Sequence, residues 1–219
     1  MHPNLRFLLA ATAALLFCVG FALDFDWRAM LALKLVPVLL ALDWLRVAAD
    51  AGRYRNRIAF GLAWSLLGDA LLALPHDLFI AGLVSFLIAH LGYISAYLER
   101  SRAWAAPWLG LALAAVVAIL LALNHFGTLG PMQLPVGVYA LVIGAMLWRA
   151  GALAKLDGAG RLALVGALLF VASDALLAWH RFVDAQPLLR HFNILLYWGG
   201  QWGIAASAVA HRAPRPARL

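Results

Sequence analysis

Charged side chains are scarce in this chain. Of its 219 residues only 12% are Asp, Glu, Lys or Arg, about half the share of a soluble globule. That shortage excludes an ordinary water-soluble domain, whose surface such groups must solvate. Acid is scarcer still, 10 Asp+Glu against 17 Lys+Arg, for a formal charge of +7. The surplus does not indicate nucleic-acid binding, because the basic residues sit in short connections between apolar runs. Cysteine occurs once, at Cys18, which excludes an intramolecular disulfide and a thiolate metal cluster. Phe17 stands where a lipoprotein cleavage site would have a small residue, so Cys18 is expected to be buried and inert. No His, Cys, Asp or Glu fall at metal-ligand spacing such as His-x-x-x-His, and there is no Gly-x-Ser-x-Gly elbow, phosphate loop or dinucleotide fingerprint. No metal and no cofactor is implied. No Gly/Ser-rich linker divides the chain.

What the chain has is apolar length. Hydrophobic residues make up 65% of it, in eight runs at about Leu5–Leu23, Ala29–Leu42, Ile58–Leu74, Leu78–Leu98, Trp104–Leu123, Pro131–Trp148, Leu162–Ala178 and Leu188–Ala210. Most approach the ~20 residues that cross ~30 Å of hydrocarbon, where only helices satisfy every backbone group. The second run is short and holds Lys34 and Pro37. The prediction is an all-α, polytopic integral membrane protein with eight transmembrane helices, one domain over 1–211 and a basic disordered tail at 212–219. Gly20-Phe21-Ala22 resembles a signal cleavage site, but the run before it exceeds the core of a cleaved signal, so the first helix is expected to stay.

Alternate connections set the orientation. One side receives Arg6; Arg46, Arg53, Arg55 and Arg57; Arg100 and Arg102; Arg149, Lys155 and Arg161; then Arg212, Arg215 and Arg218. The other receives only Arg28, Arg181 and Arg190. Both termini are therefore predicted to be cytoplasmic, in a multi-pass protein of a bacterial inner membrane.

The pentapeptide Asp-Ala-Leu-Leu-Ala occurs twice, at Asp69–Ala73 and Asp174–Ala178, in the third and seventh runs. A carboxylate in hydrocarbon is costly and marks a functional candidate. Runs four spans apart point the same way, so the pattern predicts a parallel internal repeat with both acids converging on one water-accessible pocket in the outer half. Lys34 either snorkels to the headgroups or serves as counter-charge or phosphate contact. His90, Tyr93 and Tyr97 share one helical face, as do Asn193, Tyr197 and Gln201, and Tyr139 lies in the sixth run. Such stripes face protein or a wet cavity, while Tyr97, near the cytoplasmic end, is expected to anchor at the interface. Gly199-x-x-x-Gly203 is a helix-packing signal.

Burial disfavours the charged form of a carboxylic acid, and a second carboxylate nearby disfavours it further, so a pair can hold one proton between them. That supplies an acid and a base for bonds that break through oxocarbenium-like cations: acetals, glycosides and vinyl ethers. The same pair suits a proton relay in a transporter or channel.

Ser65-Leu-Leu-Gly-Asp69 with Pro75, Ala89-His90-Leu-Gly-Tyr93, Lys34, Gly166-Ala-Leu-Leu-Phe170-Val-Ala-Ser-Asp174 and Tyr197-x-x-x-Gln201 together resemble the lysoplasmalogenase family of YhhN-like membrane proteins. This chain has Lys34-Leu35 where the family has Lys-Pro, with Pro37 displaced. The resemblance implies a hydrolase that cleaves the vinyl ether of a lysophospholipid without a metal. It implies Asp69 and Asp174 as catalytic groups, and Lys34, His90, Tyr93, Tyr197 and Gln201 as substrate-binding residues, to which the polar positions within the spans add Tyr139 and Asn193. The implied partners are a lysophospholipid and the bilayer, with no nucleic acid and no oligomeric state indicated.

Overall fold

In the computed structural model, which describes residues 3–211, the chain folds into eight α-helices and one 3-10 turn, with no strand among the described residues. The helices are α1 (Pro3–Ala22), α2 (Trp27–Ala48), α3 (Arg53–Ala73), α4 (Phe79–Arg100), α5 (Ala106–Phe126), α6 (Gln133–Leu153, after the turn Gly130–Met132), α7 (Gly158–Phe182) and α8 (Pro187–Ala210). The basic tail expected at 212–219 lies outside the described residues. Pro107 and Pro187 fall in the first turns of α5 and α8, where a missing N–H breaks no helical bond. Asp26 caps α2 by accepting the Arg28 amide at 2.9 Å, and Asp157 caps α7 by accepting the Gly160 amide at 2.8 Å.

Five segments are long and apolar enough to cross a membrane: α1 from Asn4, α4, α5, the turn with α6, and α7. The protein is therefore a multi-pass membrane protein. The other three, α2, α3 and α8, are as long, at 22, 21 and 24 residues, and their hydropathy is diluted by the polar residues they carry. α2 outruns the apolar stretch Ala29–Leu42 because its added turns bond to neighbouring helices. Asp43 accepts from Arg6 at 2.8 Å, and Trp44 stacks on Trp202. Pro37 does not break α2. Its ring leaves the Leu33 carbonyl without a helical donor, and next to it the Lys34 carbonyl accepts the Trp198 indole N–H at 3.2 Å.

The packing has a regular order. α1 lies on α2 as α5 lies on α6; α2 meets α3 as α6 meets α7; α3 pairs with α4 as α7 pairs with α8; and α4 touches α6 as α8 touches α2. The two closest pairs, α3–α4 and α7–α8, approach at glycines. A Cβ on Gly166 would lie 2.6 Å from the Ile204 nitrogen and 2.8 Å from the Gly200 carbonyl. The packing glycines of α8 are thus Gly200 and Gly203, which face Gly166, while Gly199 meets only the Leu169 side chain at 3.3 Å. The expected Gly199/Gly203 pair is off by one position at its first member.

Three expectations change on this framework. Tyr97 is fully buried, with no partner for its hydroxyl among the described residues, because the inward face of α4 runs to its arginine-rich end. Arg149 is not a solvated loop cation. It is buried in α6 and donates to the Ala103 carbonyl at 3.0 Å and to that of Ser101, tying down the α4–α5 connection. Cys18 is half-buried, on a helix that rests on α2 and meets α8 through the pairs Phe17–Trp198 and Phe7–Trp202.

Candidate active site

Asp69 stands on α3, with its side chain 2% exposed. Lys34 reaches it from α2, placing Nζ 3.1 Å from Oδ1 and donating to the Asp69 carbonyl at 3.4 Å. Tyr197 on α8 donates its hydroxyl to Oδ2 at 2.5 Å. A buried carboxylate alone costs several kcal/mol, and a charge partner plus a short hydrogen bond offset that. Lys34, 15% exposed, is therefore a counter-charge and does not snorkel.

Asp174 stands on α7, with its side chain 15% exposed. Tyr139 on α6 donates its hydroxyl to Oδ2. His90 on α4 brings Nε2 to 2.9 Å from the Tyr139 oxygen and 3.7 Å from the same carboxylate oxygen. A phenol has one proton to give, so with Tyr139 donating to Asp174, His90 donates to Tyr139 from Nε2. Its Nδ1 has no partner among the described residues. The bonds form a directed chain from His90 through Tyr139 to Asp174.

Each aspartate is thus served by the helix before it and by one from the far side of the bundle: α2 and α8 for Asp69, α6 and α4 for Asp174. Between the clusters stands Phe170. It packs edge-on against Tyr197 at 5.3 Å and against His90 at 4.8 Å, with Phe86 beside it at 6.2 Å. The two carboxylates belong to separate hydrogen-bond clusters. The repeat predicts that both open on one shared pocket; among the described residues Asp174 lines two of the cavities below and Asp69 none of them, with Phe170 between their clusters.

Three cavities border this region. An outer cavity of about 630 Å³ lies at the end of the bundle that holds the α1–α2, α3–α4 and α7–α8 connections, and Lys34 and Asn193 line it. A slot of about 340 Å³ runs between α5, α6 and α7, apolar except at Tyr139 and Asp174. A neck of about 40 Å³ shares Leu72, Phe79 and Leu177 with the cavity, and Val136, Tyr139, Asp174 and Ala178 with the slot. Asp174 therefore sits where polar space gives way to apolar space. Asp69 lines none of the three.

The remaining predicted residues divide in the same way. Asn193 donates to the Ser173 carbonyl at 2.6 Å, fixing α8 to α7 one residue from Asp174. Tyr93 donates to Gln201 at 2.7 Å with Ser65 at 3.3 Å from its hydroxyl. Tyr93 and Gln201 are fully buried and brace α3, α4 and α8 without lining these cavities. Sequence reasoning missed the polar wall of the outer cavity, namely Asp24, His180, Arg181 and Arg190. A signal existed: Arg181 and Arg190 are two of the three basic residues that depart from the charge asymmetry of the connections.

Residues 27–208 match the YhhN family. Human lysoplasmalogenase TMEM86B is 35% identical over 207 residues, covering 90% of this chain and 85% of that protein. The rat lysoplasmalogenase TMEM86B is 34% identical over 177 residues, covering 80% and 71%. A lysoplasmalogenase of Mycobacterium tuberculosis is 38% identical over 153 residues, covering 65% and 56%. No solved structure matches the chain. With a family match across most of its length and relatives at this level of identity, the chain belongs to the YhhN family.

Proposed function

We propose that this protein is a lysoplasmalogenase: with water it cleaves the vinyl ether of a lysophospholipid, releasing a fatty aldehyde and a glycerophospho-alcohol. The observation that carries this reading is the position of Asp174, at the neck between a polar cavity and an apolar slot. A lysolipid has the same division, and its ether bond lies at the boundary. The relatives named lysoplasmalogenase favour this over a proton-coupled transporter.

Vinyl ethers hydrolyse by protonation at carbon. In this mechanism Asp174, protonated, gives its proton to the alkenyl carbon remote from the oxygen, and the π electrons form the new C–H bond. The adjacent carbon becomes an oxocarbenium ion. Asp69, held as an ion pair by Lys34, supplies negative charge within reach of that cation. Water adds to the cationic carbon and returns a proton to Asp174. The hemiacetal then collapses, with the glycerol oxygen leaving as an alcohol. One water is consumed, and neither a covalent intermediate nor a metal is needed. His90 and Tyr139 orient Asp174, while Tyr197, Tyr93 and Gln201 hold Asp69 and its helix.

On this reading all eight helices cross the membrane, with the arginine-rich end and both the Arg6 and His211 ends cytoplasmic. In a bacterial host this would be the inner membrane. The paired packing of α1–α4 and α5–α8 supports a parallel repeat within one domain. The test is purified protein in detergent with a lysoplasmalogen, monitored for aldehyde. Release that is lost in Asp174→Asn is expected. Solute flux in proteoliposomes with no aldehyde would replace this function with transport.

A further inference from the structure

Resting on that reading, we propose that the outer cavity recognises a zwitterionic phosphodiester headgroup, with Arg190 contacting the phosphate and Asp24 the ammonium group. Most cations at this mouth are already committed. Lys34 is paired with Asp69, and Arg181 donates to both oxygens of Asp77 at 3.1 Å. Arg190, in the first turn of α8, has no carboxylate partner among the described residues. Its guanidinium stacks 4.1 Å from the centre of the Phe21 ring, which fixes its position while leaving its N–H donors unused.

Asp24 is the one carboxylate lining this cavity among the described residues, and no cation there pairs with it. It stands at the α1–α2 turn with φ 48, a left-handed conformation that aspartate tolerates better than most side chains. The same wall holds His180, whose Nδ1 is buried without a partner among the described residues. One cavity thus holds an unpaired cation and an unpaired anion that do not neutralise each other. A ligand carrying both charges complements both groups, whereas an anion alone would leave Asp24 repelling it. The neck leads on to the slot. A headgroup held at Arg190 and Asp24 therefore sets how far the chain enters, and so which bond rests beside Asp174. Arg190 and Asp24 act as positioning and specificity residues.

The experiment compares three substrates with the same alkenyl chain at equal mole fraction in detergent micelles: alkenyl-glycerophosphocholine, alkenyl-glycerol phosphate and alkenyl-glycerol. In Arg190→Gln, kcat/KM for both phosphate-bearing substrates falls about tenfold or more relative to alkenyl-glycerol, mainly through KM, in line with loss of a charge-assisted contact. Arg190→Lys restores part of it. In Asp24→Asn the ratio of choline to plain phosphate substrate falls instead. Arg28→Gln, an outer basic residue that does not line the cavity, leaves these ratios as they were. Melting temperatures of all variants control for folding. Equal losses on all three substrates, or ratios unmoved in Arg190→Gln, overturn the proposal while the hydrolase reading stands. A wild-type protein that releases aldehyde from none of the three overturns both.

Discussion

Lys34 and Tyr139 hold matching places on two different helices. Each stands on the helix before an aspartate helix, each bonds that aspartate's carboxylate, and the two lie as many positions apart as Asp69 and Asp174 do. The frame is alike and the chemistry is not. An ammonium makes its aspartate half of an ion pair, whereas a phenol gives its aspartate a neutral donor. In the proposed mechanism, matching scaffolds with unlike partners separate the acid role from the counter-charge role.

This separation predicts that Asp174→Asn and Asp69→Asn each lower kcat at least ~100-fold, the usual worth of general acid catalysis for the first and of electrostatic stabilisation for the second. Asp174→Asn removes the proposed proton donor and should melt within a few degrees of wild type, since its carboxylate is partly exposed. Full aldehyde release by both single variants would remove the mechanism.

Asp69 and Lys34 are also coupled energetically. Lys34→Met leaves a buried carboxylate with only Tyr197 for support, at a cost of about 3–5 kcal/mol. Asp69→Asn in the same chain removes the stranded charge, so the double variant should melt higher than Lys34→Met alone. Additive losses in thermal unfolding would mean that the pair is not coupled.

The aspartates, Lys34 and Tyr139 were legible in the sequence because a polar group inside an apolar run stands out against everything around it. The eight helices were legible for the same reason, although the ends of α2 were not: Asp43 and Trp44 dilute its hydropathy while bonding or packing within the bundle. The mouth was not legible, because an arginine in a connection is ordinary and only its unpaired state in a cavity sets Arg190 apart. The divider Phe170 and the packing partner Gly200 were hidden by their likeness to neighbours: one aromatic or one glycine among many says nothing of which face it occupies.

Tyr139→Phe tests the relay to Asp174. It removes one hydrogen bond to a group that changes charge during the reaction, worth about 1.5–3 kcal/mol, so kcat should fall about 10–100-fold. His90→Gln should have a smaller effect, because its hydrogen bond is to Tyr139 at 2.9 Å and it stands 3.7 Å from the carboxylate. A kcat unchanged in Tyr139→Phe, with the protein folded, would mean that the chain of bonds has no part in catalysis.

Gly166→Ala should loosen the contact between α7 and α8. Its new methyl would meet backbone atoms of Ile204 and Gly200 inside 3.0 Å, which cannot move aside cheaply, so overpacking costs about 1–3 kcal/mol. Gly199→Ala meets only the end of Leu169 and gains helix propensity of up to ~1 kcal/mol. Thermal melts of the two should therefore shift in opposite directions or differ by several degrees.

Asp157 lies outside the spans, as the N-cap of α7 and the partner of Arg100 at 2.7 Å. Partial burial works against its charged form, but the Gly160 amide and the Arg100 guanidinium outweigh this and hold the carboxyl below its ordinary value. A depressed carboxyl contributes stability that is complete above about pH 4 and is lost as pH falls through the lower, folded-state value. Asn caps a helix about as well as Asp, so Asp157→Asn isolates the charge. The variant should melt a few degrees below wild type at pH 6, since a half-exposed pair is worth no more than about 1 kcal/mol. The gap should close as both proteins are taken from pH 4 toward pH 2, followed by tryptophan fluorescence in detergent. A gap that stays constant to pH 2 would assign the difference to packing at the start of α7 and not to the charge.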